Sequence, residues 1–293
     1  MTEENDYVAI DKEVKDVMVN NYEEFNIRWW GHLILAIAGY AVASILSSVF
    51  YLIFVSAAGL SGIPGDELTD AQKVQCNHFS TYGTCLAYIV VIAAFVIIFR
   101  KKILKILKGF GKKKTYVYAF MCFGFIMAFS YVYNIILTNL GVVSTSTNQD
   151  LVENTIFSQP LVGFLFICIL APLFEELIFR FGLFRAFQGL FAKHGRAGDI
   201  IALAITTFIF AMAHMVASIQ MAFIQSDITV FLQDLTSLPL YLFGAFFLTF
   251  SYYKSKSLAC SMFTHMFYNT ISFVTTIIVG IFATAGEVIM LIG

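Results

Sequence analysis

The chain has 293 residues, of which 59% are hydrophobic and 13% charged, about half the charged share of an ordinary soluble domain. Thirty-two Phe and only four Pro give more apolar surface than one water-exposed core of this length can hide. That excludes disorder and a soluble globule, and leaves an all-α polytopic transmembrane bundle as the expected class. The net charge of −1 says little by itself, because the 18 basic and 19 acidic side chains are segregated along the chain.

Residues 1–28 hold eight acidic and three basic side chains and no apolar run, which reads as a polar cytoplasmic tail and not as a cleavable signal peptide. Arg28 and the interfacial pair Trp29 and Trp30 introduce residues 31–60, which lack Asp, Glu, Lys and Arg and form the first expected span. Apolar stretches at 79–99 and 116–141 complete an N-terminal part of three spans over 29–159. A second part, 160–293, holds stretches at 160–180, 200–223 and 238–253 and a nearly uncharged run at 257–292. The last run is read as two short helices broken near Thr275, Thr276 and Gly280, for about eight spans in all, with a single tilted helix as the alternative.

All the basic residues except Lys73 lie in the tail, in Arg100–Lys114, in Arg180–Arg196, or at Lys254 and Lys256. The alternate loops carry Asp66, Glu67, Asp70, Asp150, Glu153, Asp227 and Asp234. By the positive-inside rule this predicts a multi-pass protein with both termini cytoplasmic, and a bacterial cell membrane is the expected setting. The bilayer is the expected partner, and the basic run 100–114 serves topology, with no call for nucleic acid. No Cys-x-x-Cys pair occurs; Cys85, Cys122, Cys168 and Cys260 fall in spans as small apolar fillers, and Cys76 lies in an external loop.

Ionisable residues inside spans are costly and therefore functional candidates. His32, His78 and His194 fall at span ends or in loops, where a solvated imidazole needs no special role. Glu175, Glu176 and Arg180 lie in the fourth span, His214 in the fifth, His265 and Asn269 in the seventh, and Glu287 near the end. Glu176 and Arg180, four apart, share a helix face and can pair, while Glu175 points about 100° away as an available general base. Phe210 and His214 share another face. His265 and Asn269, again four apart, offer two donors to one point, as an oxyanion requires. Each pair alone also suits interhelical hydrogen bonding.

Together the sets Glu175-Glu176-x-x-x-Arg180, Phe210-x-x-x-His214 and His265-x-x-x-Asn269 resemble the CAAX protease and bacteriocin-processing family of intramembrane endopeptidases, which includes the type II CAAX prenyl proteases. The resemblance covers about 160–270. It implies a helical bundle with an intramembrane polar cavity open to the cytoplasm, and hydrolysis of a peptide bond without a covalent intermediate or cofactor. In that reading Glu175 is the base, His214 orients the water, His265 and Asn269 hold the oxyanion, and Glu176 and Arg180 shape the fourth span. Substrates would be CAAX-like, bacteriocin or signalling peptides or membrane proteins, with bacteriocin self-immunity one use.

Three alternatives remain. Two His and a Glu match a catalytic zinc set, although no His-Glu-x-x-His occurs. Gly59-Leu60-Ser61-Gly62 superficially matches the nucleophile loop of a serine intramembrane protease but reads as a turn. A non-catalytic scaffold, regulator or transporter would use the same polar groups for binding, the last usually with an internal repeat, which is not found.

Overall fold

The computed structural model describes residues 27–100, 103–142 and 146–292, with side chains up to 282. Most of the tail at 1–28, and the side chain of Glu287, lie outside what is described. The described residues are helical apart from short connections: α1 (Trp29–Ala57), α2 (Asp70–Ile98), α3 (Ile103–Gly109), α4 (Lys113–Asn139), α5 (Thr147–Ser158), α6 (Pro160–Leu190), α7 (Gly195–His214), α8 (Val216–Gln225), α9 (Thr229–Ser255) and α10 (Leu258–Ile292). Seven are long and apolar enough to cross a membrane, in keeping with a polytopic bundle of about eight spans.

Local chemistry sets the helix ends. Thr69 and Gln72 form a reciprocal capping box at the start of α2, which places that start well before the expected residue 79. Ser146 accepts the Gln149 N–H at the start of α5, and Pro160 opens α6, where a missing N–H costs nothing. Gly59 and Gly62 both have left-handed φ, so the Gly-Leu-Ser-Gly stretch is a turn. All five cysteines are free.

Two expected spans are redrawn. The stretch 200–223 is broken after His214, because α7 ends there and α8 begins at Val216. The stretch 257–292 is one helix of 35 residues, since neither Gly280 nor the two Thr interrupts the hydrogen-bond ladder. At 1.5 Å per residue it is about 52 Å long, more than a ~30 Å hydrocarbon core needs.

Helix α1 packs along α2 and against the second half of α6, α9 lies between α7 and α4, and α10 rests on α4 and the first half of α6. Small residues permit the closest approaches. A Cβ on Gly182 would stand 2.7 Å from that of Ala36, and one on Gly39 would stand 2.7 Å from Ile178 Cδ1. Two aromatic-rich clusters fill the space around α6, one on Phe181, Phe184 and Tyr252, the other on Phe174, Phe179 and Phe210.

Candidate active site

Helix α6 is not a regular α-helix. Its hydrogen bonds widen to a π-helical pattern over Phe164–Leu170 and again over Glu176–Phe184, with an α-helical stretch, Ala171–Glu175, between them. Pro172 accounts for the first widening: it offers no N–H, and its ring crowds the carbonyl four residues back. In the wide register Ala171 N–H reaches Phe166 O, five residues back, so Ile167 O would look to residue 172, a proline. The Asn269 amide supplies the missing donor, with Nδ2 2.8 Å from Ile167 O. The second wide stretch has a similar clasp, since His32 of α1 donates from Nδ1 to Phe181 O at 2.6 Å.

His32 corrects the sequence reading. It is 1% exposed, not a solvated imidazole at a span end. Pro172 inside an apolar run was the available signal that nearby carbonyls would need side-chain donors; for His32 we see no comparable signal in the sequence. Arg180, counted with a basic loop, also lies fully inside α6, because the helix runs on to Leu190.

The two adjacent glutamates meet different surroundings. Glu176 is fully buried, with Oε1 3.0 Å from Arg180 Nη1. The Arg180 guanidinium lies 4.4 Å from the Phe210 ring centre and donates from Nη2 to Ala245 O at 3.4 Å, which ties α6 to α7 and α9. His265, from α10, donates from Nδ1 to Glu176 Oε1 at 2.9 Å, an assignment that follows because a carboxylate only accepts. Its other nitrogen, Nε2, is 3.7 Å from Glu175 Oε2. That oxygen has no hydrogen-bond partner, yet the Glu175 side chain is 19% exposed to the cavity.

His214 ends α7 and donates from Nδ1 to Phe210 O at 3.0 Å, which leaves Nε2 of the neutral ring as an acceptor. Its ring lies 4.6 Å from Phe210 and 4.8 Å from Tyr241. The Tyr241 hydroxyl bonds to Ser146 and Asn148, so the wall behind His214 is anchored to α5. Asp234, expected as a loop charge, is 1% exposed and accepts the Thr147 N–H at 3.0 Å.

Glu175, Phe210, His214, His265 and Asn269 all line one cavity of about 700 Å³. Glu176 and Arg180 stand behind it. The cavity runs from mid-bundle past Ser130 and Asn134 of α4 to Gln149 and Asp150 of α5, both exposed. Its polar mouth is thus at the end opposite the Lys- and Arg-rich loops. The two orientation expectations conflict on this point: the charge bias makes the basic end cytoplasmic, while the resemblance implied a cytoplasmic opening. His214 sits at the cavity's own end of α7. Among the described residues, no group of three His, Cys, Asp or Glu is arranged to hold a metal ion.

Glu175, whose Oε2 lacks a hydrogen-bond partner, two oriented imidazoles and an amide thus surround one cavity within the helical bundle. Residues 157–271, about two fifths of the chain, match the family described as type II CAAX prenyl endopeptidase Rce1-like. This segment of the chain is thus similar to the CAAX-type prenyl endopeptidases. Comparisons with curated proteins and with solved structures found no match.

Proposed function

We propose that the protein is a glutamate-dependent intramembrane endopeptidase. The supporting observation is Glu175 Oε2, without a partner and 3.7 Å from His265 Nε2, in a cavity that also presents His214. A water touching both Glu175 and a histidine Nε2 loses its proton to Glu175 as it attacks the scissile carbonyl. His265, held by Glu176 through its Nδ1–H, accepts from that water at Nε2, and the second N–H of Asn269 faces the developing oxyanion. The proton then passes to the leaving amine.

The charge bias places the basic face in the cytoplasm, so the cavity admits a peptide or membrane-protein segment from the other side. Asp150, Glu153 and Glu175 line it and, among the described residues, no Lys or Arg does, which favours a substrate with basic residues near the scissile bond. An exported bacteriocin-like or signalling peptide suits this geometry better than a cytoplasmic prenylated tail.

The test uses the reconstituted protein and a panel of quenched fluorescent peptides, prenylated and unmodified. Glu175→Gln, His214→Ala and His265→Ala should each reduce turnover by about 10²-fold or more. Parental turnover in Glu175→Gln would eliminate the mechanism. Asn148→Cys should label from outside intact cells and Lys105→Cys should not; the reverse pattern overturns the direction of access.

A further inference from the structure

A second recess lies at the opposite, basic end of the bundle, between the start of α1 and the end of α6. It has a volume of about 750 Å³ and is lined by Arg28, Trp29, Trp30, His32, Arg185 and Lys193, among others. Among the described residues, three of its walls are cationic and none is acidic. We propose that it binds the headgroup of an anionic glycerophospholipid bearing a hydroxyl, the chemistry of phosphatidylglycerol.

Position, charge and hydrogen bonding each contribute to the assignment. Trp29 and Trp30 are 40% and 49% exposed where α1 begins, at the level that tryptophans occupy between hydrocarbon and water. Acyl chains can then lie along the apolar outer face of α1 while the phosphate sits in the recess. Arg185 is only 6% exposed, so a guanidinium is held within the wall and does not simply sweep through solvent. Arg28 and Lys193 add positive charge along the same lining, which suits phosphate oxygens.

His32 narrows the headgroup further. Its Nδ1–H is committed to Phe181 O, and its Nε2, buried in a residue 1% exposed, has no hydrogen-bond partner. In the neutral ring that nitrogen accepts, so the complementary ligand offers an O–H beside its anionic oxygens. A phosphodiester to glycerol has both, whereas phosphatidylcholine has no such donor and no net charge. None of the residues named here lines the catalytic cavity, so the proposal does not rest on the peptidase reading.

The full chain, purified in detergent, would be offered phosphatidylglycerol and phosphatidylcholine and examined by native mass spectrometry and thermal unfolding. Phosphatidylglycerol should be retained about tenfold over phosphatidylcholine, and should raise the unfolding midpoint by several degrees. The paired change Arg28→Gln with Lys193→Gln should bring the preference to within about twofold. The same charge removed elsewhere on the basic face, Lys105→Gln with Lys108→Gln, should leave it unchanged. Equal retention of the two lipids, or equal effects of the two charge-removal pairs, overturns the site. Protection by soluble glycerol 3-phosphate to the same extent as by lipid would assign the recess to a free phosphate ester and overturn a lipid as its occupant.

Discussion

Helices α1 and α6 are nearly equal in length, 29 and 31 residues, and their most apolar windows have the same mean hydropathy. Yet 11% of that window is buried in α1 and 50% in α6. Hydropathy measures transfer out of water and cannot tell lipid from protein as the new surroundings. The few residues that lower apolarity make the difference. Helix α1 has one His, His32, and no Asp, Glu, Lys or Arg, and turns Ile34, Ile37, Ile45 and Leu52 outward. Helix α6 holds Pro172, Glu175, Glu176, Arg180 and Gly182, each of which needs a neighbouring helix for a donor, a counter-charge or close approach.

The largest contrast in stability should come from the buried ion pair. Glu176→Gln or Arg180→Ala leaves a charge uncompensated, at a cost of about 3–5 kcal/mol. Ile37→Ala in α1, where the side chain is 60% exposed, should stay within about 0.5 kcal/mol. Glu175→Gln should cost little, since its Oε2 has no partner to lose. Detergent melting curves measure all four. An Ile37→Ala cost as large as that of Glu176→Gln would mean that the outer face of α1 is packed against protein.

The proline clasp permits a sharper test. Asn269→Leu strands Ile167 O and should cost about 1–3 kcal/mol. Pro172→Ala restores a backbone N–H near that carbonyl, so Asn269→Leu should cost at least ~1 kcal/mol less in that background. Additivity in the double-mutant cycle would mean that the amide does not replace the missing donor.

A smaller difference separates two glycines. Gly182→Ala pushes a methyl into Ala36 and should destabilise by about 1–3 kcal/mol through forced separation of α1 and α6. Gly124→Ala in α4 meets nothing within 4 Å and should stabilise, by up to ~1 kcal/mol of helix propensity. Equal effects would show that α1 and α6 are not in close contact.

The smallest effect concerns Lys256, between α9 and α10, with φ of 58°. Burial, helped by the cations Arg185 and Lys254 and opposed by Asp199, holds its pKa at about 8, below the ordinary 10.5. The unfolded chain then binds the proton more tightly, so stability rises as pH goes from about 8 to 10.5, and the full penalty is present below that window. Lys256→Gly removes the charge and accepts the left-handed backbone. It should gain up to ~1 kcal/mol at pH 7 after solvent screening, and flatten the rise in unfolding midpoint across that window.

The sequence by itself determined the helical membrane class, the segregation of basic and acidic loops, and the polar pairs at four-residue spacing. These are legible because hydropathy and charge are summed locally, and because helix periodicity holds well enough over one turn to pair Glu176 with Arg180. The continuity of α10 was not legible, since Gly and Thr within an apolar run permit either a helix or a break until neighbours pack. Nor were the burial of His32, the double widening of α6, or the end at which the cavity opens. Each depends on which carbonyl, cation or neighbouring helix lies across the bundle, over separations such as the 149 residues between His32 and Phe181. Only the tertiary structure decides such contacts, because a buried polar group is held by whatever partner folding brings within hydrogen-bond reach.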